Sequence, residues 1–265
     1  MDRKSVLDSL AATGEERILL ANAAERMLAA GQRNIPAVTD FLTGREQALL
    51  SRAAEMLGIS GTFFFGGAEG AERRVMCCLP DYLDAETYFQ GEDSPIRYLR
   101  IEIHGNETLT HRDYLGSILG QGIRREKIGD LFVSEHSCDL PVFAELARFL
   151  SDNLTTVGRV RVTTREISAG ELLVPAQKFE EIHATVSALR LDSILSSGFR
   201  LSRSRAQELI HGGKVQLNHL EETKSDRMLS QGDLISARGL GKIRLEAVGG
   251  RTKKDRISVT IKRFV

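Results

Sequence analysis

Residues 188–218 read ALRLDSILSSGFRLSRSRAQELIHGGKVQLN, and this stretch gathers basic side chains where a helix start would ordinarily reject them. Ser202 is a good N-cap, Ala206, Leu209 and Ile210 give residues 202–211 one apolar helical face, and Gly212-Gly213 stops the helix. Arg200, Arg203 and Arg205 crowd its first turn, where the macrodipole favours acids and disfavours cations by a few tenths of a kcal/mol each. The sequence offers no structural gain to offset this, and a local rule broken without compensation marks function. Orphan backbone N–H groups at a helix start attract phosphate oxygens, and guanidinium forks beside them strengthen such a site. The stretch therefore predicts an RNA-binding module.

Working outward, residues 190–197 predict a shorter helix that Gly198 breaks. After the second helix, KVQLN alternates as a strand with Val215 and Leu217 on one face and Lys214, Gln216 and Asn218 on the other. GDLISARG and GKIRLEAV form a hairpin around Gly239 and Gly241, and ISVTIKRF supplies a last alternating strand. Two helices and a small sheet result.

The whole chain of 265 residues carries zero formal charge, but residues 183–265 hold 16 Lys/Arg against 8 Asp/Glu, a net +8, which leaves −8 on the rest. A basic part on an acidic body suits a polyanion partner with restrained indiscriminate binding. Cys77, Cys78 and Cys138 show no CxxC spacing and read as buried, reduced thiols. The amphipathic, charged start lacks the apolar core of a signal peptide, and no run of eighteen apolar residues occurs. The expectation is a soluble protein of a reducing compartment, the cytoplasm, with no membrane span.

Upstream, residues 15–30 and the segment after Thr43 are helical, with Gly58 ending the latter. TFFFGG and RRVMCCLP are short strands joined by a Gly-rich turn; without GKS or GKT, Gly66, Gly67 and Gly70 are not a phosphate loop. From IRYLRIEI onward the order is strand, helix HRDYLGSILGQG, strand KIGDLFVS, strand CDLPVF, helix AELARFLSDNL, strand RVRVTTREI. This β-α-β-β-α-β order predicts a ferredoxin-like, RRM-like sandwich. Its third segment offers only Phe132 where an RNA-stacking sheet wants several rings, so any contact there rests on Arg124, Arg125 and Lys127. Gly116 and Gly120 read as points of close helix packing and Gly122 as a tight exit. The resulting fold class is α+β, with a helix-rich α+β domain over 1–92, an RRM-like domain over 93–180 and an αα-β RNA-binding domain over 181–265.

Around His104, His111, Arg112 and Asp113 no catalytic geometry follows, since His111 and Asp113 lie on different sides of a helix and no nucleophile accompanies them. Thr110 reads as a helix cap. There is no HExxH or other metal-ligand spacing, so no metal and no cofactor are expected.

Arg190-Leu191-Asp192, Gly198, Ser202-Arg203-Ser204, Ala206, Gly213-Lys214-Val215, Asn218 and Gly232-Asp233 together resemble the S-four RNA-binding domain. That resemblance implies RNA-backbone contacts from Arg190, Arg200, Arg203, Arg205 and Lys214, with Ser202, Ser204, Gln207 and Lys242 completing the surface. Asp192, being acidic, reads as an orienting partner for a nearby arginine. LTHRDYLGSILGQGIRREKIGDLFV, preceded by FFGG and followed by the S-four unit, resembles the YlmH family over about nine-tenths of the chain. The resemblance implies an RNA-binding protein acting on large ribosomal subunits obstructed by peptidyl-tRNA, in ribosome-associated quality control; with no catalytic motif in the sequence, the expectation is a non-enzymatic factor, a monomer, with tRNA as a second partner. S-four domains also accompany RNA-modifying enzymes, and a cell-division scaffold is a further alternative; a methyltransferase, synthetase or pseudouridine synthase would need motifs that this sequence lacks.

Overall fold

The protein is described by a computed structural model over residues 2–265, which falls into two compact units, one ending at Pro175 and one beginning at Ala176. The expected join near residue 93 lies inside the first unit, so the helix-rich segment and the RRM-like segment share one body.

In that first unit, helices α1 (Arg3–Leu10), α2 (Gly14–Arg33) and α3 (Gly44–Leu57) pack beside a small antiparallel sheet of β1 (Ala37–Val38), β2 (Thr62–Phe65) and β3 (Val75–Cys78), in the order β1-β3-β2. Thr43 and Glu46 form a reciprocal capping box on α3, and Gly58, at φ 66°, closes it in the left-handed region that glycine tolerates. A short helix α4 (Ala85–Gln90) leads into β4 (Ile96–Ile103), α5 (His111–Gly120), β5 (Phe132–Val133), β6 (Ser137–Phe143), α6 (Ala144–Asn153), β7 (Thr156–Val157) and β8 (Val160–Ile167). The sheet order β5-β6-β4-β8-β7 with antiparallel neighbours is the expected ferredoxin-like arrangement.

Strand alternation decides what each face of this sheet does. Leu99 and Ile101 of β4 and Cys138, Leu140 and Val142 of β6 point to the helices, where Tyr114, Ile118, Ala147 and Leu150 complete the core. The opposite face is where an RRM presents its rings to RNA. Here Phe41, Val75, Cys77 and Phe89 of the N-terminal segment pack on Ile96 and Phe143. Gly67, at φ 83°, comes so near Tyr98 and Pro141 that a Cβ would lie 2.9 Å from the tyrosine ring. Farther along, fully buried Asp139 accepts two hydrogen bonds from Arg100, 2.8 and 2.7 Å, and a third from the backbone N–H of Leu173 at 2.8 Å. The protein's own chain thus covers the face that RNA would use.

Two local expectations change. KIGDLFVS pairs as a strand only at Phe132–Val133, with a single bridge from Ile128 to Val142 before it. Asp130 breaks the edge by turning its carboxylate to the backbone N–H groups of Glu72 and Arg73. Gly116 and Gly120 face open space, so they do not mediate close packing, whereas Gly122 at φ 82° makes the tight exit. Cys77, Cys78 and Cys138 are buried free thiols, and burial pushes the Cys77 and Cys138 thiols far up from their ordinary value.

The second unit runs β9 (Phe179–Val186), α7 (Leu191–Phe199), α8 (Arg203–His211), β10 (Val215–Leu217), β11 (Leu220–Glu221), β12 (Leu234–Ala237), β13 (Gly241–Arg251) and β14 (Ile257–Phe264). Its antiparallel sheet has the order β11-β10-β12-β13-β14-β9. Helices α7 and α8 cover one face through Ile194, Leu195, Ala206 and Ile210 against Val215, Ile235, Ile243, Leu245, Val259 and Ile261. Strand β9 was not anticipated, although Ile182, Ala184 and Val186 alternate toward that core. Gly198 does not break α7, which continues to Phe199; a Cβ on Gly198 would stand 2.6 Å from Ile243 Cδ1. Its missing side chain lets the helix lie close on the sheet, and the actual terminator is Arg200, left-handed at φ 54°.

Candidate RNA-binding surface

Asp192 organises the surface. It sits in the first turn of α7, its backbone N–H donates to the Ser225 carbonyl at 3.0 Å, and its side chain is fully buried. A buried carboxylate is tolerated only when donors surround it. Arg190 supplies Nε and Nη2, both at 3.1 Å; Arg203 supplies Nε at 3.0 Å; Gln207 supplies Nε2 at 2.9 Å; Ser193 Oγ lies at 3.3 Å. Although burial alone would raise its pKa, hydrogen bonds from Arg190, Gln207 and Arg203 outweigh it and hold the carboxyl at about 2. Asp192 is therefore ionised across the ordinary pH range and fixes two guanidinium groups from two helices in one place.

Those groups remain available. The Arg203 side chain is 52% exposed and that of Arg190 32% exposed while both hold Asp192. Ser202 caps α8 by accepting from the Arg205 N–H at 3.2 Å, and Ser204 Oγ lies 3.1 Å from Ser202 Oγ, so two hydroxyls stand at the helix start between the arginines. Arg205 reaches Glu208 at 2.8 Å, one turn along, and Arg200 pairs with Glu180. The crowding of cations in this turn thus has a structural offset that the sequence did not display: each of the three arginines has a carboxylate partner, and all three are more than half exposed. Multidentate donors at a helix N-terminus, preoriented by a buried anion, suit phosphate oxygens.

The other expected residues divide. Lys214 is exposed at the α8–β10 junction, where its carbonyl accepts from the N–H of Arg238 at 2.9 Å. That bond sets a further exposed basic residue, which sequence reasoning passed over, next to it. Lys242 does not join the cluster, because strand alternation from Ile243 directs it to the sheet face away from α7 and α8. Asn218 and Asp233, part of the sequence signature, serve the fold: Asn218 donates to Asp233 at 2.8 Å and accepts from the Leu234 N–H at 2.9 Å, locking the approach to β12.

In the first unit, Arg125 donates to the carbonyls of Ile128 and Gly129 at 2.7 and 2.8 Å, and burial, with the neighbouring Arg73 guanidinium, pulls its pKa down to about 10. Lys127 bonds Asp40 at 2.9 Å and lies over the Phe143 ring. Arg125 ties down its own loop and Lys127 ties that loop to the N-terminal segment, which leaves Arg124, 67% exposed beside Glu126, as the accessible member of the trio. Thr110 and Asp113 form a capping box at the start of α5, and His104 turns away to Thr163. Among the described residues no three His, Cys, Asp or Glu side chains are placed to hold a metal ion, and no helix is long and apolar enough to cross a membrane.

Residues 93–171 match the family described as "Putative RNA-binding domain in YlmH", and residues 189–235 match the S4 domain. "Ribosome-associated protein quality control protein P2" of Bacillus subtilis (strain 168) is 35% identical over 227 residues, which are 85% of this chain and 86% of that protein. A solved structure, "Cell division protein ylmH from Streptococcus pneumoniae", aligns at TM-score 0.48 and 24% identity over 62% of this chain and 97% of that one. With two RNA-binding domain families in register with its two units, and a curated relative similar over most of both lengths, the chain belongs to the YlmH family of RNA-binding proteins.

Proposed function

We propose that this protein is a non-enzymatic factor that docks on RNA of the large ribosomal subunit and acts, in ribosome-associated quality control, on subunits that carry peptidyl-tRNA. It works as a monomer in the cytoplasm. The observation that carries the reading is the Asp192 clamp, which presents Arg190 and Arg203 beside the Ser202 and Ser204 hydroxyls at the start of α8. Such a surface reads backbone phosphates and shape rather than base edges, which fits a partner recognised by its architecture. The name of the Bacillus subtilis relative supports placing that partner on the ribosome.

The test is co-sedimentation with separated ribosomal subunits, with and without peptidyl-tRNA, across a salt series. The expected result is selective large-subunit binding that peptidyl-tRNA strengthens, and an affinity that falls steeply with salt. Arg205→Gln is the clean probe, because Arg205 holds only exposed Glu208. It should weaken binding and lower the log–log salt slope by about 1 with no loss of melting temperature. Arg203→Glu is a poor probe, since it sets a second carboxylate against buried Asp192. Equal, purely salt-governed binding to every RNA would refute the reading.

A further inference from the structure

The sheet of the second unit has a face that α7 and α8 do not cover. Alternation along β14 sends Ile257, Val259 and Ile261 to the helices and leaves Lys262 and Phe264 on the other side. In the register of β14 with β9, Phe264 stands directly opposite Phe179. On β13, Arg244 lies opposite Lys262. The two rings therefore adjoin on one open face, and each has a cation against it: Lys262 Nζ is 4.6 Å from the Phe179 ring centre and the Arg244 guanidinium 5.4 Å from that of Phe264. Even with Lys262 over its ring, Phe179 keeps 47% of its surface exposed. Lys242 projects to the same side two residues before Arg244. The acids there are Glu246, bonded to Lys262 at 2.7 Å, and Glu181, opposite Lys262.

Scattered exposed apolar side chains need no explanation, but a cross-strand pair of phenylalanines bracketed by Arg and Lys is a specific composition. Exposed rings offer stacking platforms to any base, and adjacent cations follow the backbone; this is how sheets bind unpaired nucleic acid without reading its sequence. The first unit has the RRM-like sheet but covers that face with its own chain; in the second unit the helix-free face carries Phe179 exposed and Phe264 half-buried beside it. Phe179, Arg244, Lys262 and Phe264 also lie outside both matched domain families, which end at 171 and 235.

We infer that this face is a second RNA surface, one that stacks unpaired bases on Phe179 and Phe264 while Arg244 and Lys262 meet the phosphates. The inference rests on the RNA-binding reading above but assigns a different ligand, single-stranded rather than structured RNA, to a different face.

The full-length protein should bind a fluorescent oligouridylate of about twelve nucleotides in preference to a hairpin duplex of equal length, followed by anisotropy. Phe179→Leu and Phe264→Leu preserve apolar cover and should each weaken that binding by roughly tenfold, while the Tyr substitutions at both positions retain it. Arg205→Gln should leave oligouridylate affinity nearly unchanged while lowering large-subunit binding, so the two surfaces fail separately. Unaltered affinity in the Leu variants, or wild-type binding to the single strand no stronger than to the duplex, would overturn the inference.

Discussion

Asp192→Asn should loosen the second unit selectively, because it removes the one charge on which α7 and α8 converge. The magnitude follows from the carboxyl's depression to about 2 from an ordinary 3.8, a difference that corresponds to about 2 kcal/mol of stabilisation by its donors. Breaking a fully buried ion pair costs roughly 3–5 kcal/mol, but Arg190 and Arg203 are partly exposed and can turn to water, so the smaller figure governs. In the intact chain, amide hydrogen exchange across α7 and α8 should accelerate by about thirtyfold at neutral pH, while exchange in the first unit stays as it was. The pH dependence has a definite sign. A carboxyl whose folded pKa is depressed contributes fully above its unfolded value and loses that contribution as pH falls from about 4 toward 2, and Asp192→Asn should abolish this acid-sensitive increment. Exchange in α7 and α8 equal to that of the wild type, or an unchanged acid response, would show that the clamp does not hold the two helices together.

Two further outcomes follow from the backbone and packing. Gly198→Ala drives a methyl to 2.6 Å from Ile243 Cδ1 and should cost about 1–3 kcal/mol in a denaturant melt; wild-type stability would mean that α7 can lift off the sheet at no cost. Arg200→Gly relieves a left-handed non-glycine residue and should hold or raise stability by up to about 1 kcal/mol while lowering ribosomal-RNA affinity; a stability loss would show that the Glu180 pair, not RNA contact, retains the arginine.

The α+β class, the ferredoxin-like order and the two-helix RNA module were legible because each rests on local signals: alternation in IRYLRIEI and ISVTIKRF, the Ser202 cap and the Gly212-Gly213 stop. What escaped depended on tertiary pairing. Strand β9 has an alternating apolar face at Ile182, Ala184 and Val186, but Glu180, Glu181 and His183 mask it, and its pairing with β14 supplies the rest. Gly198 looked like a breaker because its purpose, the approach to Ile243, lies across the core. Arg125 and Lys127 looked like RNA contacts because a sequence does not reveal that Ile128, Gly129 and Asp40 take their donors. The site's chief positioning residue was partly readable: the acidity of Asp192 amid arginines suggested an orienting role, and the structure adds that it orients two arginines and a glutamine at once.

The N-terminal segment on the RRM-like sheet also decides how this protein can be taken apart. A fragment cut to residues 93–171 would bare Ile96, Tyr98 and Phe143 to water and lose the carboxylate of Asp40 that holds Lys127. Such a piece would present a sticky plane in place of a finished surface, prone to self-association, and its RNA affinity in isolation would misrepresent the parent. The break between the two compact units lies at Pro175–Ala176, and within the first unit Phe41, Val75, Cys77 and Phe89 line the sheet that such a fragment would lay bare.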